Sequence, residues 1–228
     1  METKEDLERL GRELCDEELL RAYQTPYDNY PVSFLPRVLG NMLICSGNLV
    51  YGKKPSYLKF RAVEVIARVP YQSWVSAAYT LLTLFYSNEQ KALEYSSVSQ
   101  FARIAQDNET MHVVVISKIA REECRAGVIR YTLIPMIFAF VYFWASYVLY
   151  LVNKRYSMEL NYSFENHSFE QYSRFLDENE EALKSKPVTS DFLAWYGRTP
   201  RSQYEFFRSV RNDELIHRNM SLHSIQKK

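Results

Sequence analysis

The chain contains four histidines, His112, His167, His217 and His223. Two of them follow a glutamate by three residues, in Glu109-x-x-His112 and Glu214-x-x-His217. On a helix that spacing stacks both side chains on one face, so a carboxylate and an imidazole can reach the same cation. One such pair is weak, because chance produces it readily in a glutamate-rich chain; two among four histidines need supporting residues. Glu64 stands 45 residues before Glu109, and Glu165 stands 49 before Glu214. Each spacing suits two helices joined by a turn, one carrying an acid and the other a Glu-x-x-His pair. Four carboxylates and two imidazoles are hard and borderline ligands, suited to iron or manganese and poorly suited to a thiolate-preferring metal. Their four negative charges offset two divalent cations. Iron adds a redox change that zinc lacks.

The same acids have a plainer reading. Glu64 has Arg61 and Arg68 three residues before and four after it, and Glu214 has Arg211 and Arg218 in the same relation, as in surface salt bridges. Glu109 and Glu165 have no basic partner on their own helices, so burying them would be costly unless a cation paired them. The order Glu, Glu-x-x-His, Glu, Glu-x-x-His is that of ferritin-like di-iron bundles. The reading is an all-α fold: a ferritin-like four-helix di-iron bundle with additional membrane-associated helices.

The elements that must position these residues follow from the pattern. Residues 3–24 read as a polar helix with Thr3 as N-cap, ending before Pro26, in an N-terminal extension over 1–30. The bundle domain takes 31–228. Within it, residues 33–51 are apolar with a single charge, Arg37, and suit a helix in a membrane interface. A long helix is expected over 57–86, interrupted at Pro70, and an amphipathic one over 89–120. Residues 131–153 run 23 positions without a charge, long enough to cross a bilayer. Helices over 157–182 and 201–223 close the chain, with a connection over 188–200.

Composition excludes several classes. The 228 residues carry 28 basic and 27 acidic side chains, a net charge of +1, so nothing suggests a nucleic-acid partner. No glycine-rich phosphate loop is present. Cys15, Cys45 and Cys124 are odd in number and far apart, which reads as reduced thiols and not a disulfide framework. The N-terminal residues lack a signal- or transit-peptide pattern, so the expectation is a protein facing the cytoplasmic or equivalent interior side.

Four stretches resemble the alternative oxidase family, and more closely its plastid terminal oxidase branch. They are Glu64-Val-Ile-Ala-Arg-Val-Pro-Tyr71, Asn108-Glu-Thr-Met-His112, Glu165-Asn-His-Ser-Phe-Glu-Gln-Tyr172 and Arg211-Asn-Asp-Glu-Leu-Ile-His217. They occur in the family's order and span most of the chain. The resemblance implies six ligands to two iron ions: Glu64, Glu109, His112, Glu165, Glu214 and His217. It implies the oxidation of two quinols (ubiquinol or plastoquinol) coupled to four-electron reduction of O2 to water, without proton pumping. It further implies a monotopic homodimer on a membrane surface. Tyr172 is similar to the family's redox-active tyrosine, and lies two helical turns after Glu165. Trp195 matches a family tryptophan by its distance from Glu214. Asn108 and Asp213 adjoin ligands and would orient them. Val63, Phe164 and His167 would line a quinol pocket. Lys59 stands where the family has a quinol-contacting arginine, keeping the charge without the planar fork. The connection between Pro187 and Tyr204 is shorter than in plastid-type enzymes.

The metal reading also bears on topology. One half of the ligand set precedes residues 131–153 and the other follows them, so a single crossing would separate the halves. The expectation is a run lying against the bundle in one leaflet, beside 33–51. Two other functions fit parts of the pattern: a di-iron hydroxylase or monooxygenase acting on a quinone precursor, and a non-enzymatic helical membrane adaptor.

Overall fold

The computed structural model describes residues 3–226. Among them no residue lies in a strand, and α-helices carry the fold. In α1 (Lys4–Glu13), the Thr3 hydroxyl accepts from the Asp6 backbone N–H while the Asp6 carboxylate accepts from the Thr3 N–H, a capping box. The single helix expected over 3–24 is two. The Asp16 carboxylate accepts from the N–H groups of Glu18 and Leu19 and opens α2 (Glu17–Gln24). An aspartate that caps the helix ahead of it ends the helix behind it.

After α3 (Phe34–Tyr51), the segment expected over 57–86 forms α4 (Tyr57–Ala67) and α5 (Val69–Phe85). The interruption falls at Arg68 and not at Pro70. Pro70 sits in the first turn of α5, where its missing N–H leaves no bond unmade, and its ring disrupts the turn before it. Next come α6 (Glu89–Glu123), α7 (Ile134–Val152) and α8 (Lys154–Ser185). Asn88 and Asn153 cap α6 and α8 by accepting from the N–H groups of Lys91 and Arg155, so α8 starts three residues earlier than its hydrophobic pattern. A π-helical turn, Ile129–Leu133, leads into α7. The connection expected over 188–200 contains a short helix, α9 (Asp191–Tyr196), before α10 (Gln203–Gln226).

The bundle is two helix pairs. The α4–α5 segment packs on α6, and α8 packs along α10. Between the pairs, Phe60 of α4 stacks on Tyr172 of α8 with ring centroids 4.0 Å apart; Phe175 meets Phe60 edge-on, and Phe207 is tilted against Phe60 and stacked on Tyr172. Outside the bundle, α7 lies against α4, α5 and α8, and α3 lies against α8 and α4. The far faces of both are bare: Phe34, Met42 and Leu49 on α3, and Met136, Phe140, Val141 and Trp144 on α7. Among the described residues, Ile129–Val152 is the one helical stretch long and apolar enough to cross a membrane by length and composition. Only 17% of its most apolar window is buried. Each large apolar side chain left in water forgoes about 1.5–3 kcal/mol of burial. A contiguous face of them marks a contact surface.

Candidate metal centre

Four helices bring the six sequence-predicted ligands to one level of the bundle. Glu64 comes from α4, Glu109 and His112 from α6, Glu165 from α8, and Glu214 and His217 from α10. All six are buried. Their ligand atoms form two overlapping groups: Glu64, Glu109, His112 and Glu214, and then Glu109, Glu165, Glu214 and His217. Within each group the atoms lie within 4.8 Å of one another. Glu109 and Glu214 belong to both, which places them to bridge two cations. Glu64 with His112, and Glu165 with His217, would hold the two ends. His112 Nδ1 lies 3.4 Å from Glu64 Oε2, 3.5 Å from Glu109 Oε2 and 3.6 Å from Glu214 Oε1. His217 Nδ1 is 2.8 Å from Glu109 Oε1, without the alignment of a hydrogen bond.

The salt-bridge reading does not survive the geometry. Arg61 turns to the Thr132 hydroxyl, Arg211 pairs with Glu17 and Arg218 with Asp28. The acids they flank in sequence face the other way. Eight buried atoms in the cluster have no hydrogen-bond partner: Glu64 Oε2, Glu165 Oε2, both oxygens of Glu109 and of Glu214, and Nδ1 of both histidines. Each such atom costs about 1–3 kcal/mol when left unmade. Two cations at the centre would satisfy all of them with the hard and borderline donors that iron or manganese takes. Burial and mutual repulsion disfavour charge on three of the four carboxylates. Burial, with the charge of Glu109 added, raises Glu64 to about 7, and burial with the other carboxylates raises Glu214. Burial likewise raises Glu165. Glu109 moves the opposite way: burial opposes it, yet His112 and His217 together hold it down at about 2.

Polar side chains fix the ligands from behind. The Tyr172 hydroxyl donates to Glu64 Oε1 in a short hydrogen bond. The Tyr71 hydroxyl donates to Glu165 Oε1 at 2.7 Å and accepts from Asn161 Nδ2 at 3.0 Å. The two contacts cross. Tyr71 lies seven residues after Glu64 but serves Glu165, whereas Tyr172 lies seven after Glu165 but serves Glu64. With His112 Nδ1 facing the cluster, its Nε2 meets Asp213 Oδ2 at 2.9 Å. Asn108 Nδ2 donates to the same oxygen at 3.2 Å and to the Tyr196 hydroxyl at 3.3 Å.

Beside the cluster is a largely apolar cleft. Leu43, Ile44 and Gly47 of α3 and Phe138 of α7 form its outer wall. Val63, Phe164 and His167 line it, together with Lys59 and Tyr172. Lys59 Nζ donates to Asn48 Oδ1 and Gln171 Oε1, both at 2.9 Å. Burial, then the charge of Arg174, lowers this ammonium to about 8. Burial, then the charge of Lys59, lowers His167 to about 4, so its imidazole is neutral at pH 7. Tyr172 thus touches both the cleft and a ligand carboxylate.

Residues 37–226 match the family model described as alternative oxidase. The chain belongs to the alternative oxidase family. A curated relative, "Ubiquinol oxidase 4, chloroplastic/chromoplastic" of Arabidopsis thaliana, is 24% identical over 182 residues, covering 71% of this chain and 49% of the relative. The chain therefore spans about half the length of that relative. No solved structure matches it.

One residue expected from the alternative oxidase resemblance is not brought to the cluster. Trp195 is 76% exposed, and its ring packs on Phe192 at the surface of α9. Its neighbour Tyr196 turns inward and meets Asn108. A residue count across a connection fixes distance along the chain, not the side of a helix. Tyr71, Asn161 and Arg198 were not singled out by the sequence. Tyr71 had a usable signal, since it ends the quoted stretch that begins at Glu64. Arg198 had none, because its partners lie far away in the chain.

Proposed function

We propose that this chain is a quinol:oxygen oxidoreductase that holds two irons at the Glu/His cluster and takes quinol into the adjoining cleft. The observation that carries the reading is the convergence of eight unpartnered ligand atoms next to an apolar cleft, joined to it by Tyr172. The printed name of the Arabidopsis relative, a ubiquinol oxidase, supports a quinol as the electron donor. Bound iron would supply the redox change that carries electrons from two quinols to one O2, giving two quinones and two waters. The protein's own residues have distinct tasks. Val63 and Phe164 would pack the quinol ring, the Lys59 ammonium would donate to a quinol oxygen, and the neutral His167 would accept a hydroxyl proton. Tyr172 would relay an electron inward, its hydroxyl proton passing to Glu64. The apolar outer faces of α3 and α7 would rest in one leaflet, on the interior side, and a second copy of the chain would complete a homodimer.

The test is iron analysis followed by quinol-dependent oxygen uptake. Purified protein should carry about two irons per chain, as the ferritin-like ligand order demands. A short-chain quinol should be recovered as unmodified quinone; a product bearing a new oxygen would make the protein a hydroxylase instead. Tyr172→Phe removes one hydroxyl and keeps the ring stacked on Phe60, so iron and helicity should persist. Uptake should fall at least about tenfold, equivalent to about 1.4 kcal/mol on the barrier. Wild-type turnover in that variant would remove Tyr172 from the chemistry, and absence of iron in wild type would end the reading itself.

A further inference from the structure

The chain of contacts behind His112 does not stop at Asp213. Arg198 grips the Asp213 carboxylate with two nitrogens, Nη1 to Oδ2 at 2.5 Å and Nη2 to Oδ1 at 2.9 Å. The other edge of the same guanidinium grips Glu8, Nε to Oε2 at 2.9 Å and Nη2 to Oε1 at 2.8 Å. Two-pronged contacts of this kind fix orientation as well as distance. Arg198 is brought there by Gly197, which ends α9 in the left-handed region at φ +99° and reverses the chain. Glu8 lies on α1, and α1 and α2 both precede residue 37, where the family match begins.

The rest of this N-terminal segment is tied to α10 on both sides of Asp213, and to the end of α9. Gly11 packs beside Asp213: a Cβ there would be in van der Waals contact with its Oδ1, at 3.6 Å. Its carbonyl accepts from Asn212 Nδ2 at 2.9 Å. Lys4 sits over the Tyr196 ring, 3.9 Å from its centroid. Glu17 holds Arg211, and the Tyr23 carbonyl accepts from Asn219 Nδ2 at 2.7 Å. The residues on α10 that surround Glu214 and His217 are thus bound from outside the family's matched region.

We propose that Glu8 is a positioning residue for the metal centre, acting through Arg198 and Asp213 on the ring of His112. The inference rests on the metal reading above. A solvent-open cavity is lined by Glu8, Arg198 and Asp213. Without Glu8 one edge of Arg198 would face this water, free to rotate, and Asp213 would lose the partner that holds its plane. His112 would then present Nδ1 less well to a cation.

The experiment compares iron release to a chelator from the full-length holoprotein in wild type, Glu8→Ala, Glu8→Asp and Glu17→Ala. Removing the direct partner of a ligand histidine costs roughly 10–100-fold in metal affinity, so Glu8, two steps beyond that partner, should cost less, roughly threefold to at most tenfold. Glu8→Ala should speed release by that factor with helicity unchanged, since no residue of α1 is buried. Glu8→Asp, which keeps a carboxylate, should restore most of the retention. Glu17→Ala breaks a different tie to α10 and leaves the Arg198 relay intact, so it should release iron at the wild-type rate. Wild-type release from Glu8→Ala, or equal acceleration by Glu17→Ala, overturns the proposal while leaving the metal reading standing. A wild-type protein that holds no iron overturns both.

Discussion

Lys59 stands where an arginine is expected, and its surroundings give the replacement a measurable signature. Its ammonium is buried, held by Asn48 and Gln171, and lowered to about 8. The charged form therefore dominates below that value and is lost as pH rises through it. If the ammonium binds quinol, the apparent KM should climb across pH 8 while kcat changes little. Lys59→Arg, whose guanidinium stays charged throughout, should flatten that rise. A KM profile identical in the two proteins would show that Lys59 does not touch substrate. At this scale the sequence was informative where chemistry and spacing coincide within one helix. Glu109 with His112, and Glu214 with His217, needed only the three-residue repeat. It was silent where partners are distant in the chain: nothing in the order of residues joins Glu8 to Arg198, or Tyr71 to Glu165. At Trp195 the count from Glu214 fixes distance along the chain and not the face of α9 that carries the ring.

The helices themselves were legible to within a few residues, because their apolar periods are long and their caps are local. The errors lie at polar punctuation. Asp16 divides one expected helix into α1 and α2, and Arg68 ends α4 before the proline that forces the break. The expectation that α3 and α7 lie along one leaflet rests on the ligand set, since the hydropathy of Ile129–Val152 alone equally permits a crossing. Their bare faces make that placement testable. Phe140 and Trp144 are 67% and 52% exposed on α7 and contribute no ligand. Replacing both with aspartate should weaken binding to lipid vesicles by at least about tenfold, given about 1.5–3 kcal/mol for each large apolar side chain withdrawn from water. Iron content should not change. Undiminished vesicle binding would mean that α7 is not the lipid-facing element.

Taken whole, the molecule has its charged relay and N-terminal clamp on α10, and its apolar wall on α3 and α7. Both ends of the chain should then lie on one side of the bilayer: reporter tags at the N-terminus and the C-terminus should give the same protease accessibility in sealed vesicles. Opposite accessibility would demand that Ile129–Val152 cross, and would separate Glu109 and His112 from Glu165 and Glu214. The outer wall of the cleft carries a consequence for how this protein would be fed. Leu43, Ile44 and Phe138, from the two helices with bare apolar faces, line the cleft. A substrate dissolved in the bilayer would slip sideways between two helices without ever entering water. Its supply would be set by its mole fraction among the lipids, a two-dimensional quantity. Diluting the membrane with inert lipid would starve the cleft of such a substrate, while diluting the surrounding solution would not.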